Sequence, residues 1–318
     1  QAGGRVPVPL KSDFLSILQA SICVAIFVFL SGYGLAKVFQ PEQNVFQFYR
    51  KRLGKLYSTY WLIFLLCVPV GMLFFGVSIE SAFPAERFSH PWLAVISQFL
   101  GLHMYYGGLG FNPTWWFMSA IISLYILFPF IFQAIDKYTW WALLICLVCT
   151  TFPHVRIPVI QRWIFPFSLG IFLAKWNTPT NSFWNKFLSP VPKPVIVVAA
   201  LVFFSFVLQQ FGGRISLIHH YLRFTMITII YASVYLAQKI KFLQKILSFL
   251  GEHSFNIFLT HTFIFYIWFP EYSYAFKYPV LIMLALTVSS LIFSILLNKI
   301  HALLTLAYKI SKQNIVPA

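Results

Sequence analysis

The sequence predicts an all-α protein, a polytopic transmembrane helical bundle of about nine spans plus one short outer helix that is re-entrant or interfacial. Three observations lead there. Of the 318 residues, 59% are hydrophobic and 9% charged, with a mean hydropathy of +0.78; no soluble core needs that much apolar surface. Strongly apolar stretches recur from residue 15 to about residue 300, which leaves no length for a soluble domain and makes 1–318 one membrane-embedded domain. The cations, finally, gather at the ends of those stretches, where they orient spans.

Residues 1–14 (QAGGRVPVPLKSDF) read as a polar outer loop. A span takes about 20 apolar residues, and spans are expected at 15–36, 57–76, 115–135, 139–153, 162–176, 194–212, 220–238, 254–270 and 279–300, those at 139–153 and 162–176 being short. The segment 92–106 (WLAVISQFLGLHMYY) is apolar and short as well. Loop charge arbitrates. If 37–56 is cytosolic and 92–106 does not cross, then Lys37, Arg50, Lys51, Arg52, Lys55, Lys137, Lys175 and the later lysines other than Lys277 share one side with only Glu42, Asp136 and Glu252. A crossing at 92–106 would move the lysine-bearing loop 175–193 outside. Nine crossings with a cytosolic C-terminus place Gln1 outside, and a further helix ahead of Gln1 explains that arrangement most simply. Trp115 and Trp116 open a span from the outer face, and Trp163, Trp176 and Trp268 lie near span ends, as in an interfacial belt. The stretch SPVPKPV (189–195) reads as a linker.

Several function classes fall away. A net charge of +16 invites a nucleic-acid reading, but cations at helix ends serve orientation and anionic lipid head groups instead. Cys23, Cys67, Cys146 and Cys149 all fall in apolar segments, so no disulfide framework is implied, and Cys146-x-x-Cys149 has redox or metal spacing with nothing nearby to support it. No metal site is expected. All the carboxylates lie in loops or at span ends, which argues against an ion-coupled transporter.

What remains for chemistry is basic or neutral. FYRKRLGKLYSTYW (48–61) concentrates Arg50, Lys51, Arg52 and Lys55 where a helix enters the membrane. One reading is a topology anchor. The other is a grip for a polyanion: Arg52 and Lys55 are three apart, on one helical face, and the guanidinium fork suits phosphate oxygens while lysine supplies a point charge. A phosphate-rich cytosolic ligand such as a coenzyme A ester fits. His261 in NIFLTHTFIF lies inside a span, where a lone histidine is more often a packing or hydrogen-bonding residue than a catalyst. Arg162 and Arg223 sit at or just inside spans on the outer side, against the orientation rule; each either snorkels to lipid phosphate or binds a polar acceptor. His90, His103, His253 and His301 read as interface residues. Ser31-Gly32 permits close helix packing, and GGLGFNP (107–113) reads as a turn before Trp115.

Five stretches in order carry a resemblance. FVFLSGYGL (27–35), FYRKRLGKLYSTYW (48–61), NPTWWFMSAIISLYILFPFI (112–131), FPFSLGIFLAKW (165–176) and LGEHSFNIFLTHTFI (250–264) resemble the signatures of the acyltransferase 3 family, integral membrane O-acyltransferases of bacterial glycans. The resemblance implies ten helices with both termini cytosolic, in the bacterial cytoplasmic membrane. It implies acyl-CoA, commonly acetyl-CoA, as co-substrate with no bound cofactor, and an extracytoplasmic polysaccharide or glycolipid hydroxyl as acceptor; lipids are the other partners and nucleic acid is not one. Arg50, Arg52 and Lys55 would contact acyl-CoA. Ser31, Tyr33, Trp115, Trp116, Arg162 and Arg223 would belong to a cavity for the acceptor, with His261 at a cavity position. The family's catalytic candidate is a histidine in a first helix that is not in this chain, so the catalytic residue is unassigned; the chain is either a fragment of an active enzyme, the reading preferred, or a catalytically inactive form. The competing readings are a lipid-linked glycan flippase or exporter and a structural subunit of an envelope polysaccharide machine.

Overall fold

A computed structural model of the chain describes residues 20–108, 110–151, 159–176, 240–273, 275 and 278–315. Among them all regular structure is helical. In chain order the helices are α1 (Ala20–Val38), α2 (Val45–Phe74), α3 (Ile79–Ala82), α4 (Pro91–Phe99), α5 (Trp116–Tyr138), α6 (Trp140–Thr151), α7 (Ile164–Trp176), α8 (Lys241–Thr262), α9 (Pro270–Ser273) and α10 (Pro279–Ile315). Tight 3-10 turns lie at His103–Tyr105 and Pro113–Trp115, and a π-helical turn at Phe263–Trp268.

Among the described residues three segments are long and apolar enough to cross a membrane: Val45–Phe74, Pro113–Tyr138 and Val280–Ser311. Shorter apolar helices cover Val24–Val38, Trp140–Thr150 and Ile164–Lys175. The three long segments coincide with the expected spans at 57–76, 115–135 and 279–300; the shorter helices lie within the stretches expected to span at 15–36, 139–153 and 162–176 without reaching that length. The expected span at 254–270 divides differently. Its first part closes α8, which starts as early as Lys241 and carries Lys245 and Glu252; its second part is the π turn. α4 has nine residues, about 13 Å of helix, too short to cross a bilayer by itself. The expected spans at 194–212 and 220–238, the linker at 189–195, the loop 1–14 and Arg223 lie outside the described residues.

The chain divides into two compact units. The first holds described residues 20–49, 120–151, 159–176 and 240–244. Its centre is the pairing of α1 with α7, and glycine makes it. A Cβ at Gly32 would run into the Phe167 carbonyl, and one at Gly170 into the Phe29 carbonyl, so the two backbones touch where a side chain would hold them apart. Lipid is as apolar as leucine and gives helices no hydrophobic reason to associate; close backbone approach supplies dispersion instead. The expectation for Ser31-Gly32 is met. Beside this contact Phe39 meets Phe48 at 5.3 Å, Phe128 at 5.1 Å and Phe132 at 4.9 Å between ring centroids, separations typical of favourable aromatic pairs. The Tyr49 hydroxyl donates to the Ile126 carbonyl of α5 at 2.7 Å. Lys175 pairs with Asp136 and lies 4.1 Å from the centroid of the Phe132 ring.

The second unit holds described residues 50–119 and 245–315. Tyr60, Ile63, Phe64, Trp115, Phe117, Leu259 and Phe263 are buried in it. α4 ends in a Schellman motif: Gly101, at φ 70°, donates to the Gln98 carbonyl at 2.8 Å and Leu102 to the Ser97 carbonyl at 2.7 Å. α2 closes the same end. Tyr60, Trp61 and Tyr57 donate to the carbonyls of Gln98, Phe99 and Leu100 at 2.5, 2.9 and 2.7 Å, satisfying acceptors that a helix end leaves open.

Candidate functional site in the second unit

The cation cluster lies inside α2 rather than ahead of it. Asn44 caps the helix, its Oδ1 accepting from the Phe46 amide at 2.8 Å, so the helix begins well before the apolar run and Arg50 to Lys55 occupy its second and third turns. The helix buries Leu56, Tyr60, Ile63, Phe64 and Cys67 on one stripe. At 100° per residue Arg52 stands roughly 60° from the middle of that stripe, Arg50 and Lys55 roughly 100° to 120°, and Lys51 nearly opposite. Burial follows the wheel: Arg52 is half-buried, whereas Arg50, Lys51 and Lys55 are exposed. Among the described residues none of the four has a carboxylate within ion-pair distance.

His261 is held at the other polar centre, in the last turn of α8. Its Nδ1 lies 2.8 Å from the Phe258 carbonyl and 3.0 Å from that of Ile257. Both oxygens only accept, so Nδ1 carries the hydrogen, and in the neutral ring Nε2 keeps a lone pair. Nε2 has no hydrogen-bond partner among the described residues. The ring stands beside Phe258 and Phe265, with centroids at 5.9 and 5.3 Å. One residue past this turn the helical closure changes register: the π turn begins at Phe263 and ends with the Phe269 amide on the Ile264 carbonyl at 3.0 Å.

The turn carrying His261 is clamped by the segment before α5. Asn112 is extended, as the residue before a proline must be, and caps the turn Pro113–Trp115 by accepting from the Thr114 amide at 2.9 Å. The same Oδ1 lies 2.7 Å from both Thr114 Oγ1 and Thr262 Oγ1. The two hydroxyls also lie 3.1 Å from each other, and Thr114 Oγ1 lies 3.4 Å from the Phe258 carbonyl; each has one hydrogen, and Asn112 Oδ1 is the nearest acceptor to both. Asn112 Nδ2 and Trp115 Nε1 donate to the Leu259 carbonyl at 3.4 and 2.9 Å. Trp115 is wholly buried and packs on Tyr60 and Phe64 of α2 at 5.1 and 5.5 Å and on Phe263 at 5.4 Å. It therefore joins α2 to the His261 turn, with its indole N–H already committed.

Of the sequence-predicted residues, Arg50, Arg52, Lys55, Trp115, Trp116 and His261 fall in the second unit, and Ser31, Tyr33 and Arg162 in the first. Ser31 and Tyr33 are half-buried on α1, with Lys37 Nζ 5.6 Å from the Tyr33 centroid; Arg162 is exposed just before α7. Two histidines read as interface residues are buried within the protein: His103 at 2% exposure and His253 at 5%. His253 Nδ1 lies 2.8 Å from Ser294 Oγ and 3.3 Å from Asn298 Nδ2, and Asn256 donates to Asn298 Oδ1 at 2.7 Å, a polar seam between α8 and α10. His103 has an unpartnered Nδ1, and burial pushes its pKa down to about 4. Sequence reasoning missed Asn112, Thr114 and Thr262. The signal was there in Asn-Pro-Thr, a cap followed by proline at the first helical position. No group of three or more metal-ligating side chains occurs among the described residues.

Comparison with known proteins bears on this arrangement. Acyltransferase MdmB of Streptomyces mycarofaciens is 25% identical over 149 residues, covering 43% of this chain and 37% of that protein; the match thus spans little more than a third of the relative's length. No solved structure is significantly similar. The family model described as an acyltransferase domain matches residues 5–299. With nearly its whole length inside that match, the chain belongs to the acyltransferase 3 family.

Proposed function

We propose that the protein is a membrane-embedded O-acyltransferase that moves an acyl group, acetyl in the simplest case, from cytosolic acyl-CoA to a hydroxyl of an extracytoplasmic polysaccharide or glycolipid. The observation that carries the reading is the set Arg50, Arg52 and Lys55 in the family-matched domain: cations on a helix of membrane length, with no carboxylate to neutralise them among the described residues. Unpaired guanidinium and ammonium groups there suit the phosphates of coenzyme A. Arg52, half-buried at the edge of the buried stripe, is the contact nearest the protein interior. Tyr60 lies eight residues further, about 12 Å along the helix, at the level where α2 grips Trp115 and, through it, the turn of His261.

In the reaction the acceptor hydroxyl oxygen bonds to the thioester carbonyl carbon, the carbon–sulfur bond breaks, and coenzyme A leaves as thiolate to take up a proton while the hydroxyl proton passes to a base. His261 Nε2, a lone pair with its opposite nitrogen tied to carbonyls, suits accepting a hydrogen bond or a proton from that hydroxyl. A neutral His261 in this tautomer has no hydrogen to offer an oxyanion at Nε2. Ser31, Tyr33, Trp116, Arg162 and Arg223 keep, each by itself, the acceptor-binding role the resemblance implies. Trp115, wholly buried with its indole N–H on the Leu259 carbonyl, holds the His261 turn instead. The cations of α2 are assigned to the inner boundary of a bacterial cytoplasmic membrane. Transfer of label from radiolabelled acetyl-CoA to cell-surface sugar in cells carrying the full-length protein tests the proposal. Label on the sugar, lost when Arg52 and Lys55 are both reversed to Glu, is the expected result; sugar carried across the membrane unlabelled would instead mark a glycan exporter.

A further inference from the structure

Resting on that reaction, we propose that Asn112 is a positioning residue for His261: its side chain, with Thr262, fixes the turn that ties Nδ1–H down and turns Nε2 to the acceptor. The hydrogen-bond count argues for it. A carboxamide oxygen has two lone pairs, and Asn112 Oδ1 has three donors around it, the Thr114 amide and the hydroxyls of Thr114 and Thr262, all within 2.9 Å. Its Nδ2 meanwhile reaches the Leu259 carbonyl at 3.4 Å. One side chain, 1% exposed, therefore holds α8 by a carbonyl two residues before His261 and a hydroxyl one residue after it.

The placement explains why so much bonding is spent on one turn. Beyond Thr262 the helix widens to five-residue closure, and π-helical turns concentrate at functional sites. The change of register begins at Phe263, so the turn that offers the Ile257 and Phe258 carbonyls to Nδ1 is the last α-helical one before it. Asn112 and Thr262 hold it. The bonds of Asn112 satisfy its own buried groups and at the same time bracket the histidine, at Leu259 and Thr262.

The test uses the full-length protein in lipid nanodiscs. Nitrogen-15 histidine spectra, with the His261 signals assigned by their loss in His261→Ala, report the tautomer whether or not transfer is detected. The wild type is expected to show one Nδ1–H tautomer, while Asn112→Ala and Thr262→Val show a mixture and Thr262→Ser keeps the wild-type form. In the transfer assay Asn112→Ala lowers kcat about 10- to 100-fold with KM for acyl-CoA within about twofold, as expected for a misplacement of about 1 Å, and adds no further loss once His261 is Ala. An unchanged tautomer in both Asn112→Ala and Thr262→Val, or a loss that adds fully to that of His261→Ala, overturns the inference. Absence of any transfer by the wild type instead overturns the acyltransferase reading, and the tautomer spectra still decide the role of Asn112.

Discussion

The basic turns of α2 and the last turn of α8 solve opposite problems within one unit. Arg50, Lys51, Arg52 and Lys55 are charged, largely exposed and without a carboxylate partner among the described residues. Around His261 the groups are neutral, mostly buried and hydrogen-bonded almost to saturation. A site that must capture a mobile polyanion has to leave its cations unpaired, because an internal carboxylate would compete with the ligand. A site that must hold one nitrogen in one direction needs every neighbour committed. Trp115 connects the two, gripped by Tyr60 and Phe64 of α2 and bonded to the Leu259 carbonyl.

Reversing the charge at α2 tests one side of the contrast and carries the largest expected effect. Arg52→Glu with Lys55→Glu replaces attraction by repulsion at two positions. Hydrogen bonds to charged groups contribute about 1.5–3 kcal/mol each, so kcat/KM for acyl-CoA falls at least about 100-fold, chiefly through KM. Steady-state transfer measured over a range of acyl-CoA concentrations checks this. An unchanged KM would leave the cluster as an orientation signal only.

His103 is a third case, buried like the α8 turn yet with Nδ1 unpartnered like the cations. Its pKa in the fold is about 4, against an ordinary 6.5, because burial disfavours the charged ring. The unfolded chain therefore binds a proton first as pH falls. Stability is complete above about pH 6.5, declines between there and about pH 4, and levels off below, a loss on the order of 3 kcal/mol. Thermal unfolding in detergent across this window, with His103→Phe as control, should show the step in the native protein and its absence in the variant.

Asn112→Ala comes next in size, read as stability rather than turnover. Individual hydrogen bonds in membrane proteins average about 0.6 kcal/mol and reach about 1.7, so losing the bonds to Thr262 and Leu259 costs about 2 kcal/mol in the same unfolding assay. A stability change much larger than that, with turnover following it in proportion, would make the clamp ordinary packing and weaken the contrast with α2.

Much of this was legible in the sequence, for physical reasons that also mark where reading stopped. Apolar length and end charge identified α1, α2, α5 and α10 because the bilayer imposes both. Gly32 was readable as a close contact, though its partner Phe167 was not, since nothing local says which helix will approach. The stretch expected at 254–270 is helical as far as Trp268, but its start is earlier because hydropathy does not see helical continuity: α8 extends back through Lys241 and Lys245, which a span cannot hold at its centre but a helix can carry at its end. His103 and His253 were read as interfacial from local polarity, whereas their burial depends on residues far away in sequence, such as Ser294 for His253. The α8 clamp escaped because its members, Asn112 and Thr262, are separated by 150 positions.

The smallest expected effect discriminates most sharply within the basic cluster itself. Lys51 has the same charge as Lys55 and neighbours Arg52 in sequence, yet it points nearly opposite the buried stripe of α2 and is exposed. If the cluster acted as a diffuse positive field, each cation would matter alike, because a field sums charges without regard to direction. If Arg52 and Lys55 grip phosphate, direction decides, and Lys51→Ala changes KM for acyl-CoA by no more than about twofold, the scale of an exposed charge screened over a Debye length of about 8 Å at physiological salt. Measured side by side at low and physiological ionic strength, Arg52→Ala should raise KM at both, whereas the small effect of Lys51→Ala should vanish at the higher. Equal effects of the two alanines at physiological salt would replace a directed grip by a charged rim, and would leave the α8 turn as the one directional element of the pair.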